Sequence, residues 1–86
     1  MIKMVLIKND ENTVIYKYMI WGKEEPENTG VVEYVKNSKK VQLVKKAEND
    51  DCESVPSGYY AAYAGYKLKE QAEKGEFPGE FIASWQ

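Results

Sequence analysis

Tyr59, Tyr63 and Tyr66 recur at i, i+4 and i+7, which is the spacing of one side of an α-helix. The chemistry that spacing offers is recognition. Tyrosine presents a large apolar ring at low entropic cost and keeps a polar tip, so contact surfaces favour it. Other groups could do covalent or metal chemistry, and each falls short. Cys52 lies just ahead of the same helix, where the dipole would activate a thiol. It is flanked by Asp51 and Glu53, which oppose ionisation, and the chain has no histidine to act as its base. The run Glu48 to Glu53 offers carboxylates to a hard cation but lacks the spacing and the glycine of a calcium loop. It reads as a solvated loop, as does the cluster Glu24, Glu25 and Glu27. No catalytic residue, no metal ligand and no cofactor is therefore expected.

Composition narrows the field further. All 12 cations are lysine and the net charge is −2. Without the planar arginine fork, a sequence-specific nucleic-acid binder is not expected. Tyr16, Tyr18 and Tyr34 could stack bases on a sheet face, yet tyrosine is also an ordinary strand residue. A single cysteine rules out an intrachain disulfide and fits a reducing compartment. Met1-Ile2-Lys3-Met4 shows no signal-peptide pattern, and no apolar run reaches spanning length. The expectation is a cytoplasmic protein that does not enter a membrane.

The elements that position the tyrosines follow from periodicity. At 86 residues, with 43% hydrophobic and 30% charged, the chain makes one domain, residues 1–86. Ile2 to Lys8 reads as a strand with Ile2, Met4 and Leu6 on one face. Asn9 to Asn12 is a turn. Thr13 to Trp21 is apolar on both faces, which predicts a central strand. Val31 to Lys36 and Val41 to Lys46 form a hairpin around Asn37-Ser38, widened to include Lys39. Its many lysines suit an edge that discourages pairing with another sheet.

Ser57, or Ser54 with Pro56 in the first turn, is a candidate cap for a helix over Gly58 to Lys74, ended by Gly75. Glu80 to Trp85 is a short last strand that returns to an edge, beside the first strand. The predicted order is β-β-β-β-α-β. It is an α+β fold: a four-stranded antiparallel meander, one helix packed on one face, and a short C-terminal strand.

The helix has two stripes. Ala61, Ala64, Gly65, Leu68 and Ala72 share one side, and the three tyrosines share the other. If the small stripe meets the sheet, the tyrosines form a surface for a protein partner or for a second copy of the chain, a homodimer. If the tyrosines meet the sheet, they are core residues with hydroxyls at the rim. A third reading places a small ligand between helix and sheet, lined by Tyr18, Tyr34 and Trp21.

The stretch Gly30 to Trp85 resembles small uncharacterised bacterial proteins, a domain of unknown function. The features that carry this are the hairpin exit Ala47-Glu48-Asn49-Asp50, Tyr60 at the helix start, Gly75-Glu76-Phe77-Pro78, and Ala83-Ser84-Trp85. The resemblance implies a free-standing small domain and no particular activity.

Overall fold

The structure, a computed structural model, describes residues 1–51 and 59–83. Its centre is β2 (Thr13–Ile20), the strand with two apolar faces. β2 pairs antiparallel with β1 (Ile2–Asn9) on one side and with β3 (Thr29–Val35) on the other. β4 (Lys40–Lys45) extends the meander, α1 (Tyr59–Lys74) crosses it, and β5 (Glu80–Ala83) returns antiparallel beside β1. The sheet order is β4-β3-β2-β1-β5. The expected α+β architecture is the observed one, including the last strand's place beside the first.

Side-chain alternation decides which face takes the helix. Ile2 and Met4 of β1, Val14, Tyr16, Tyr18 and Ile20 of β2, and Val32 and Tyr34 of β3 are all buried. They form one core cluster with Tyr60, Ala61, Ala64 and Leu68 of α1. Leu68 is fully buried and is the largest aliphatic knob the helix sends inward. Burying such a side chain contributes roughly 2–3 kcal/mol. The small stripe lets the helix backbone come close. A Cβ on Gly65 would sit 2.9 Å from Val41 Cγ1.

Several strand ends differ from the periodicity by one or two residues. The central strand stops at Ile20, because Trp21 and Gly22 both take positive φ, 58° and 73°. Lys23 N–H donates to the Ile20 carbonyl and closes a tight turn there. Trp21 is therefore a turn residue and not the last member of the Ile15–Met19 face. β3 begins two residues early at Thr29, and β4 begins at Lys40. The hairpin loop is Lys36 to Lys39, closed by Lys39 N–H on the Val35 carbonyl with Lys39 at φ 59°. The helix and last strand run as expected within the described residues; Gly58, Ser84 and Trp85 lie outside them.

Both ends of α1 are tied down. At the C-terminus Gly75, at φ 73°, donates to Ala72 and Glu76 donates to Gln71. That is the paired closure which satisfies the last carbonyls. At the N-terminus the cap comes from a distant residue. Asp50 is fully buried, and its carboxylate accepts Tyr60 N–H at 2.8 Å and Ala61 N–H at 3.0 Å. These are amides that a local Ser57 or Ser54 cap would serve; both serines lie outside the described residues.

Candidate functional site

Asp50 is held for this task by the 3-10 turn Glu48–Asp51 and by Tyr18. The Tyr18 hydroxyl donates to Asp50 Oδ2 at 3.2 Å and accepts Ala47 N–H at 3.0 Å. Burial pushes the Tyr18 phenol up to about 12, with Ala47 N–H opposing that and Asp50 adding to it. The Tyr18 ring lies across Gly30, where an added Cβ would fall 2.3 Å from ring carbons. Asn49 Nδ2 donates to Asn28 Oδ1, tying this turn to the one at Pro26–Asn28. A carboxylate at the positive end of a helix dipole, with three donors on it, fixes where α1 starts and how it is rotated.

That rotation sets the outer face. Tyr66 is 58% exposed and Tyr59 is 39% exposed, whereas Tyr63 is half-buried and packs partly against the core. The structure brings Tyr63 and Tyr66 together, with ring centroids 6.4 Å apart. Tyr59 meets buried Tyr60 edge-on at 5.4 Å. Lys67 Nζ lies 5.5 Å from the Tyr63 ring centroid and 5.7 Å from that of Tyr66. It also pairs with Glu70 Oε1 at 3.2 Å. A hydrogen bond to Glu70 raises the Tyr66 phenol above its usual value, and the same contact lowers the Glu70 carboxyl. The tyrosines are thus braced by their own helix, which reduces the ordering cost of a contact.

Beside Tyr66 an open cleft of about 550 Å³ runs between α1 and the sheet edge. Val32, Val41 and Leu43 line it from the strands, and Ala61, Ala62 and Gly65 from the helix. Lys40 and Lys69 supply its charge. Leu43 is 49% exposed. Sequence reasoning did not single out Leu43, Lys40 or Lys69. The signal available was Gly65: a glycine inside a helix costs about 1 kcal/mol relative to alanine, so it marks a close approach of backbones.

The other aromatic residues singled out in the sequence lie away from the cleft. Tyr16, Tyr18 and Tyr34 lie in the core under α1, so no base can stack on them. Tyr18, Tyr34 and Trp21 do not line the cleft. Tyr18 is bound to Asp50, Tyr34 packs on Phe77 at 6.2 Å, and Trp21 is 55% exposed in its turn. Asp50 leaves the acidic run by turning inward. Among the described residues no three acidic or cysteine side chains converge as a metal site. Cys52 lies outside them. No helix of the described chain is long and apolar enough to cross a membrane. Comparison with protein-family models, with curated proteins and with solved structures finds no match to this chain.

Proposed function

We propose that this domain binds another protein chain and performs no chemistry of its own. Its contact surface is Tyr59, Tyr63 and Tyr66 together with the adjoining cleft. The carrying observation is Tyr66, more than half exposed on a braced helix face and bordering a cleft that also holds half-exposed Leu43. Aromatic rings beside an apolar hollow are the usual anchors of protein contacts. The two sheet edges, unpaired among the described residues, support the helix side as the contact surface. β4 carries a register shift opposite Val31 and Val32 and lysines at both ends, and β5 has only 4 residues. Such edges resist pairing with another strand.

The test is a photo-crosslinking residue placed at position 66, compared with one at position 23, in the native cells. A discrete adduct at 66 that is absent at 23 is expected. Its mass separates a different protein from a second copy of this chain. Equal, diffuse labelling at both positions would end the reading. Tyr66 is a cleaner probe than Tyr63, whose partial packing against the core ties its substitution to stability.

A further inference from the structure

The cleft beside Tyr66 has one sign of charge. Among the described residues Lys40 and Lys69 are the only ionised side chains that line it, and both are exposed. Neither has an ion-pair partner among the described residues. Some other lysines of the molecule are occupied. Lys36 Nζ donates to Asn9 Oδ1 and the Asp10 carbonyl, and Lys67 is bound to Glu70. In a chain of net charge −2, two unneutralised cations flank an apolar hollow. Glu70 and Glu73 bound a second, smaller hollow that shares Tyr66 and Lys69 with the first. The carboxylates therefore gather on one side of the Tyr66–Lys69 pair, and the apolar hollow with Lys40 lies on the other.

We infer that the occupant of this cleft is an acidic segment of another protein, which places one apolar side chain between Tyr66 and Leu43 and sets carboxylates against Lys40 and Lys69. The inference rests on the contact surface proposed above and adds the chemistry of the partner. Ala62, small and exposed on the cleft wall, leaves room for the inserted side chain. Lys40 and Lys69 contribute charge complementarity, which governs selectivity and encounter rate more than total affinity.

The test is selection of a random displayed peptide library on the folded domain, repeated on K40E/K69E and K40Q/K69Q variants whose folding is checked by circular dichroism. The selected peptides are expected to carry Asp or Glu on both sides of a Leu, Ile, Met or Phe. Their binding should fall about tenfold or more in K40E/K69E, and it should weaken as salt is raised. Neutral or basic selected peptides, or acidic ones indifferent to both lysine variants, would overturn the inference. If those peptides are still lost on Tyr66→Lys, the surface stands and only the acidic partner falls. If they are indifferent to Tyr66→Lys as well, or if nothing is enriched above background, both fall.

Discussion

The seven tyrosines of this chain divide into two populations on the two sides of one helix. Tyr16, Tyr18, Tyr34 and Tyr60 are in the core, whereas Tyr59 and Tyr66 are exposed and Tyr63 lies between. Ring burial alone does not separate them, because tyrosine tolerates both settings. The destination of the hydroxyl is more telling. Tyr18 reaches Asp50 and Ala47, and Tyr16 donates to the Pro78 carbonyl at 2.5 Å, so each bridges segments far apart in sequence. Tyr66 spends its hydroxyl on Glu70 of its own helix. Inner tyrosines fasten the fold together; the outer ones are fastened to stay in place.

The largest effect expected on the inner population comes from its acceptor. Asp50→Ala leaves two helix amides and the Tyr18 hydroxyl without a partner inside the core. The loss of stability is expected to be about 3 kcal/mol or more in urea denaturation followed by circular dichroism. Asp50→Asn keeps an acceptor oxygen and should lose less. A loss under about 0.5 kcal/mol for the alanine variant would mean that water or another group replaces the cap.

Next in size is Gly30→Ala. The new Cβ would fall on the Tyr18 ring, which cannot swing aside without giving up Asp50. A loss of about 2 kcal/mol is expected, typical of overpacking. Adding Tyr18→Leu to that background should recover part of the clash while forfeiting the hydrogen bond. If Gly30→Ala is instead neutral, the ring is not pinned as described.

Much of the sheet was legible in the sequence because alternation is a local property. Val14, Ile15, Tyr16, Tyr18 and Met19 put apolar groups on both faces of one strand, and that strand is the middle of the five. The spacing of the helix showed two stripes and left open which of them meets the sheet; the small stripe Ala61, Ala64, Gly65 and Leu68 does. Asp50 was not legible. In one dimension it is one carboxylate in a run of polar residues, and its acceptor role arises only when the chain folds back to Tyr60, ten residues on. The cleft was hidden for a related reason. Leu43 and Lys69 are far apart in the chain, and only the close approach of Gly65 to Val41 sets them around one hollow. Trp21 read as strand because its apolar ring fitted the pattern, while the left-handed backbone shared with Gly22 was not encoded in that pattern.

Alkaline titration compares the two populations directly. Burial raises the Tyr16 and Tyr18 phenols from the usual 10.0 to about 12. A group with a raised folded-state value contributes stability that is fully present below its unfolded value and lost as pH climbs through the folded one. Stability should therefore hold to about pH 10 and fall between there and pH 12 on account of these two residues. Absorbance of the phenolates should show a late step that coincides with loss of the circular dichroism signal. Tyr16→Phe and Tyr18→Phe should each remove part of that step. A late step that survives both changes would assign it to other tyrosines.

The smallest effect on stability is expected at Tyr66, and that smallness is informative. Tyr66→Lys removes a ring that is more than half in water and a hydroxyl that interacts with Glu70 on the same helix. Glu70 retains Lys67 as a partner, so no buried group is orphaned. The melting temperature should stay within about 3 °C of the wild type, as for surface changes that break no packing. The same variant is the one expected to abolish the crosslinked adduct and the selected peptides. Unchanged stability with lost binding would show that the outer tyrosines are kept for contact. A large drop in melting temperature would instead move Tyr66 into the population that holds the fold.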